Sequence, residues 1–401
     1  MSLDRELFFR HVAQTSEAPI GIEVERAKGI YLYAPDGKRY IDLISGVTVS
    51  NVGHGHPHVV RAVQQQAARH MHLMVYGEYI QSPQVRYAQA LARLLPAGMD
   101  SVYFVNSGSE AVEGALKLAK RHTRRDEVAC MRNAYHGSTH GALSLMGNEA
   151  FRYAFRPLLP GVTALRHNHF DDLKAITRRT ACVILDPLQC ENGLVRPAEG
   201  YMQALRQRCD EVGALLVFDE VQTAFGRTGT MFYCEQCGIA PDIIVMAKAL
   251  GGGMPLGAFA ARPEVMRDFV SDPPLGHITT FGGHPVSCAA GLAALQVLTG
   301  EVGNVPRPLW EEADEKGRLY VQALQGHPQV RAMRQAGLFV ALDLKDEETY
   351  GRMLARMLAN GLVTDSFLYR LHSFRIAPPL TITHGEIEES IALLRRSLDE
   401  L

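Results

Sequence analysis

Long apolar runs and blocks of like charge are scarce in this chain of 401 residues. The longest nearly uncharged stretch, Ile243 to Ala261, is as long as a membrane span. It holds four glycines, a proline and Lys248, and it follows Pro241-Asp242. It therefore reads as strand, loop and buried segment, and no membrane partner is expected. The 41 basic and 43 acidic residues nearly cancel. That balance excludes nucleic acid as a partner, because phosphate backbones demand concentrated positive charge. The first thirty residues include Asp4, Arg5, Glu6, Arg10 and Glu17 and offer no apolar stretch for a secretion signal. The seven cysteines are odd in number and scattered, against a disulfide framework and in keeping with a reducing cytoplasm. Cys234 and Cys237 form one C-x-x-C, but zinc needs four ligands and no second pair lies at finger-like spacing. No low-complexity tract, internal repeat or linker interrupts the chain.

The 47% hydrophobic and 21% charged residues have the balance of a globular protein, and the length allows two or three domains. β-type runs occur at Ser101 to Val105, Cys182 to Leu185, Ala214 to Phe218 and Ile243 to Met246. Helical stretches separate them, so the spacing predicts crossover connections and a mostly parallel central sheet covered on both faces. Val60, Val63 and Ala67 recur at helical spacing, as do Ala88, Leu91 and Leu95. Ile387, Ile391, Leu394 and Leu398 form a C-terminal stripe, and Thr383 with Glu386 predicts a capping box at its start. Tyr31 to Tyr33 and Tyr40 to Leu43, joined through Pro35-Asp36-Gly37, read as a hairpin. Phe339 to Leu344 and Phe374 to Ala377 read as strands of a smaller α+β unit. The expected division is 1–55, a segment packing on that small unit; 56–300, the large domain; and 301–401, the small domain.

Lys248 is the sole charge among apolar neighbours in Ile-Ile-Val-Met-Ala-Lys-Ala-Leu. A buried ammonium tends to shed its proton, and a neutral lysine is a nucleophile that forms imines with carbonyl compounds. A core-edge lysine snorkelling to water has the same pattern. Asp219 and Glu220 end the strand-like Leu-Leu-Val-Phe-Asp-Glu, where ligands of parallel sheets gather. A buried carboxylate there needs a cationic partner; a plain helix-capping acid is the alternative. Asn106-Ser107-Gly108-Ser109 joins a strand to a helix, where free N–H groups and the helix dipole favour a phosphate. Glu110 and Glu113 compete for that positive end. Gly251-Gly252-Gly253 lacks the spacing and Lys-Ser/Thr ending of a nucleotide P-loop, and no G-x-G-x-x-G opens the first strand–turn–helix. A nucleotide-binding protein is thus the distant alternative. Gly53-His54-Gly55-His56-Pro57-His58 reads as a turn with satisfied or surface histidines rather than a metal site.

Taken together, these segments resemble the class III pyridoxal-phosphate (PLP) aminotransferases, in the subgroup acting on acetylornithine, ornithine and 4-aminobutyrate. The resemblance runs from Gly29-Ile30-Tyr31-Leu32-Tyr33 to Arg375-Ile376-Ala377-Pro378-Pro379-Leu380. Its most specific stretch is Phe218-Asp219-Glu220-Val221-Gln222-Thr223 with Gly226-Arg227-Thr228-Gly229, then Pro241-Asp242-Ile243 and Lys248. It implies an α/β fold, PLP-dependent transferase fold type I, and a cytoplasmic homodimer with shared active sites. It implies that Lys248 is the Schiff-base lysine and that Asp219 keeps the pyridine nitrogen protonated. Tyr135, in Ala-Tyr-His-Gly, would stack on the ring, with His136 also at the cofactor and Val221 on the other face. Gln222 would lie near the phenolic oxygen. Ser107, Gly108 and Ser109 would cradle the phosphate, with Thr280 reaching it from the neighbouring subunit. Arg375 would hold a substrate carboxylate, and Glu191 would cover that arginine in one half-reaction. The implied reaction moves an amino group from acetylornithine, ornithine, lysine or 4-aminobutyrate to an oxo acid such as 2-oxoglutarate. Aminomutase or decarboxylase chemistry of the same fold is the alternative. Two departures stand out: Asp186-Pro187-Leu188-Gln189-Cys190-Glu191 replaces Glu-Pro-x-Gln-Gly-Glu, and His284 stands where asparagine is frequent.

Overall fold

The structure is a computed structural model that describes residues 2–303 and 306–401. Seven strands form the central sheet. Their order is Ser101–Val105, Gly257–Ala261, Ile243–Met246, Leu215–Asp219, Thr180–Leu185, Glu127–Met131, Val162–Leu165. Six run parallel, and Gly257–Ala261 runs against both of its neighbours. The expected mostly parallel sheet is present, with one reversed strand. Ile243 to Ala261 resolves into strand, a short 3-10 turn over Lys248–Gly251, loop and reversed strand. Glycines at 251–253 and Pro255 break the run before a helix can form. No helix among the described residues is long and apolar enough to cross a membrane.

The central strands are apolar on both faces, and Thr180–Leu185, Ile243–Met246 and Gly257–Ala261 are buried throughout. Helix Gly108–Thr123 packs on one face through Ala111, Ala115, Leu118 and Ala119. Gly114 makes that approach possible, since a Cβ there would lie 2.3 Å from Phe259 Cε1. Helix Pro285–Leu298 packs on Pro57–Arg69 and Ser82–Ala92, the two helices expected from their spacing.

Two smaller sheets flank this body. The hairpin Tyr31–Tyr33 and Arg39–Asp42 pairs in parallel with Leu362–Val363, so the two chain ends share a sheet. Ala332–Gln335, Val340–Asp343, Arg370–Ile376 and Ser366–Phe367 make the other. Helix His384–Asp399 opens with the expected capping box: Thr383 Oγ1 accepts from Glu386 N at 3.3 Å, and Glu386 Oε2 accepts from Thr383 N at 2.8 Å.

Candidate active site

Every parallel strand of the central sheet delivers its following loop to one edge. Asp186 follows Thr180–Leu185, Asp219 ends Leu215–Asp219, and Lys248 stands two residues past Ile243–Met246. Ser107 caps the helix after Ser101–Val105, and Tyr135 and His136 lie in the loop after Glu127–Met131. These residues line one cavity of about 350 Å³, together with Gly108, Ser109, Val221 and Gln222. That volume suits a small organic ligand.

Lys248 adopts φ +51°, the left-handed region that a β-carbon disfavours. Burial lowers its ammonium pKa, against the opposing pull of Glu191. The snorkelling alternative fails, because the side chain faces this cavity. Asp219 is buried and has a titratable partner from the protein: His136 Nδ1 lies 2.7 Å from Asp219 Oδ2. Its Oδ1 accepts from Val221 N at 3.0 Å, which aims the carboxylate. His136 Nδ1 also lies 3.5 Å from Asp186 Oδ1. Burial works against a charged imidazole, but the two carboxylates outweigh it and raise the His136 pKa. Burial likewise raises Asp186, with His136 opposing. His136, Asp186 and Asp219 are the one group of donors within metal-holding reach of one another among the described residues. Asp186 entered the sequence reading only as a shortened acid. Its place at the end of a parallel strand, the signal used for Asp219, would have found it.

The turn at 107–109 is set for an anion. Ser107 caps the helix, its Oγ accepting from Glu110 N at 3.2 Å. The N–H groups of Gly108 and Ser109 lie in the first turn and have no intrahelical acceptor. Neither competing acid takes the N–H groups of Gly108 and Ser109. Glu110 Oε2 accepts from Asn106 N and Nδ2, both at 2.8 Å. Glu113 Oε1 accepts from Thr139 Oγ1, Gly141 N and Ala142 N. Gly137, at φ +126°, closes over Ser109, and a Cβ there would fall 2.1 Å from Ser109 Oγ.

Arg375 and Glu191 do not line the cavity, but they meet just behind its wall. Arg375 Nη1 and Nη2 donate to Glu191 Oε1 and Oε2 at 3.3 and 3.2 Å. Gln222 Nε2, from the cavity lining, donates to Glu191 Oε1 at 2.7 Å, and Leu368 N donates to Oε2 at 3.0 Å. Burial would raise the Glu191 pKa, but Arg375, Lys248 and these donors hold it down, so it is a carboxylate. Asp365, which no sequence signal marked, lies 2.6 Å from Arg375 Nε. Thr280 is exposed and takes no part in its own chain's cavity.

The histidine-rich turn is structural. His54 Nε2 meets Asp42 Oδ2 at 2.8 Å, His56 caps a helix, and His58 meets Gln296 at 2.9 Å. All seven cysteines are unpaired and buried, Cys234 and Cys237 on one short helix.

Comparison with known proteins agrees with this geometry. A family model described as aminotransferase class-III matches residues 12–398. Acetylornithine aminotransferases of Methanosarcina mazei and Methanosarcina acetivorans are each 38% identical over 382 residues, 93% of this chain and 91% of theirs. The ornithine aminotransferase structure from Toxoplasma gondii superposes with a TM-score of 0.90 at 26% identity, over 99% of this chain and 95% of that one. An (S)-enantioselective omega-transaminase from Thermomicrobium roseum does so with 0.88 at 28% identity, over 98% and 97%. The match over nearly all of the sequence, and the cavity at the sheet edge, place this chain in the class III aminotransferase family.

Proposed function

We propose that this transaminase takes an amino group from a donor with a terminal amine, N-acetylornithine foremost, and passes it to 2-oxoglutarate in a second half-reaction. The observation that carries the reading is the convergence of Lys248 and Asp219 on one cavity, with the Glu191–Arg375 pair hydrogen-bonded to its wall through Gln222. The names of the Methanosarcina relatives favour the acetylated donor.

The cofactor of the class is pyridoxal 5'-phosphate, which supplies an electron sink when bound. The lining fits it. The turn at Gly108 and Ser109 offers N–H donors to a phosphate, Gly137 leaves no room for a β-carbon, and His136 Nε2 and Gln222 Oε1 are buried without partners. In this reading Lys248 Nζ would hold the cofactor and, once released, would be the group placed to move a proton. Asp219, held by His136, would face the ring nitrogen and favour its protonated form. Tyr135 and Val221 would hold the ring, Gln222 would serve its phenolic oxygen, and Ser107 would assist the phosphate turn. Arg375 takes the carboxylate of the oxo acid after Glu191 withdraws.

A homodimer belongs to the proposal. Thr280 is exposed beside Ile278 and Phe281, both about half exposed, and in a partner's site its hydroxyl would reach the phosphate. So do the division at residues 55 and 300 and a cytoplasmic location, which the unpaired cysteines favour. The test is a panel of N-acetylornithine, ornithine, lysine and 4-aminobutyrate mixed with the PLP form while the bound-cofactor absorbance is followed. N-acetylornithine should react fastest and release no carbon dioxide. Preference for an amine without an α-carboxylate would overturn the donor assignment, and gas release would favour a decarboxylase. Sedimentation should give twice the chain mass.

A further inference from the structure

Arg375 is held by two carboxylates. Glu191 takes Nη1 and Nη2, while Asp365 Oδ1 lies 2.6 Å from Nε in an ion pair without hydrogen-bond alignment. Asp365 acts on the guanidinium through its charge. Its place is fixed by the backbone: Arg375 N donates to Asp365 O at 3.2 Å, and Thr364 Oγ1 donates to Arg375 O at 2.5 Å. Nη2 is tied to Ser366 O at 2.7 Å, and the guanidinium lies 4.7 Å from the centre of the Phe367 ring. Arg375 is thus held through Nε by Asp365 and through Nη2 by Ser366 O, while Glu191 takes both Nη atoms.

The two acids differ in what else they hold. Besides Arg375, Glu191 accepts from Gln222 Nε2 and Leu368 N. Asp365 has no other ion-pair partner among the described residues. Burial raises its pKa to about 6, with Arg375 pulling the other way, and the 2.6 Å ion pair favours the carboxylate. Arg375 is 2% exposed, and a guanidinium there cannot be left without a counter-ion at low cost.

We propose that Asp365 is the standing counter-ion of Arg375, a positioning residue that lets Glu191 swing off the guanidinium without stranding a buried positive charge. The inference rests on the reading of Arg375 as the carboxylate anchor. With Asp365 in place, withdrawal of Glu191 leaves a neutral Arg375–Asp365 pair whose Nη face is open to the oxo acid. Without that charge, Glu191 is the sole counter-ion, the closed pair tightens, and the acceptor must compete with it.

The test is a double-mutant cycle read in the two half-reactions. Asp365→Asn keeps the volume and removes the charge. It should raise KM for 2-oxoglutarate by about tenfold, the scale of coupling between contacting charged residues. The half-reaction with a terminal amine that carries no carboxylate should keep its rate. In a Glu191→Gln background, where the cover carries no charge, the same substitution should not raise KM. Asp365→Glu should stay near the parent, and Asp365→Ser, run through the same cycle, repeats the charge loss with a different side chain. An unchanged acceptor KM, or an equal rise in both backgrounds, overturns the proposal. Arg375→Ala separates the two levels. If it leaves acceptor KM unchanged, the anchor reading itself falls. If it raises KM while Asp365→Asn is silent, only the counter-ion role falls.

Discussion

Replacing Asp219 with asparagine removes one negative charge at nearly constant shape. The site should tolerate it sterically: Oδ1 can still accept from Val221 N, and the amide NH2 then donates to His136 Nδ1, which must be unprotonated to accept it across the present 2.7 Å. The charge is what changes. An opposite charge within about 4–6 Å shifts a pKa by about 1–3 units, and each unit is worth about 1.4 kcal/mol. The ring nitrogen would lose that much of its hold on a proton, and with it the electron sink. If the loss reaches the transition state in full, the donor half-reaction slows by about 10- to 1,000-fold. His136 loses its nearer anion as well, keeping Asp186 at 3.5 Å, so its own pKa should fall. The assay is single-turnover reaction with N-acetylornithine, with cofactor occupancy measured by absorbance and folding by thermal melting. A cofactor analogue methylated on the ring nitrogen carries a permanent positive charge and should recover part of the rate. Undiminished turnover, or a loss the methylated analogue cannot repair, would refute the electrostatic role.

Other expectations follow from the same geometry. Lys248→Ala should abolish covalent attachment: borohydride should add the cofactor's mass to the parent chain and none to the variant. Loss of the proton-carrying role proposed for Lys248 should cost at least about 10²–10⁴ in rate. Gly137→Ala would set a β-carbon 2.1 Å from Ser109 Oγ at φ +126°. Overpacking of this kind costs about 1–3 kcal/mol, and cofactor titration should show it as roughly 5- to 150-fold weaker binding. Asp343 is buried between Arg334 and Arg370 at 2.5–2.9 Å, and these pairs hold its carboxyl below its ordinary pKa despite burial. A depressed folded-state pKa stabilises the fold above the unfolded value of about 3.9 and loses that contribution as pH falls through the folded value. Denaturant melts should therefore show Asp343→Asn less stable than the parent at pH 7 and the gap closing in acid. A gap that does not depend on pH would contradict the assignment.

The outline of the fold was legible because its signals are local. Strand periodicity, the capping box at Thr383 and the hairpin at Pro35-Asp36-Gly37 depend on neighbours a few residues apart, and each stands as expected. The reversed strand Gly257–Ala261 was not legible, since an apolar run does not say which way it will lie beside its partners. For the site, strand ends marked Asp219 and Lys248 as candidates, and the order of motifs joined them to a known family. Glu110 and Glu113 stood in the sequence as rivals for the phosphate turn. Only folding shows them spent on Asn106 and on the 139–142 segment.

The sequence by itself determined the class of chemistry through its motifs, whose order resembles one family: the lone lysine, the strand-end carboxylate and the glycine turn each left a plain structural alternative open. Tertiary structure alone decided the charges that surround them. His136 lies 83 residues from Asp219, Arg375 lies 184 from Glu191, and Asp365 closes on Arg375 across a hairpin. Coulomb energy in a buried site depends on distances of a few ångströms and on the water excluded around them, and separation along the chain carries neither.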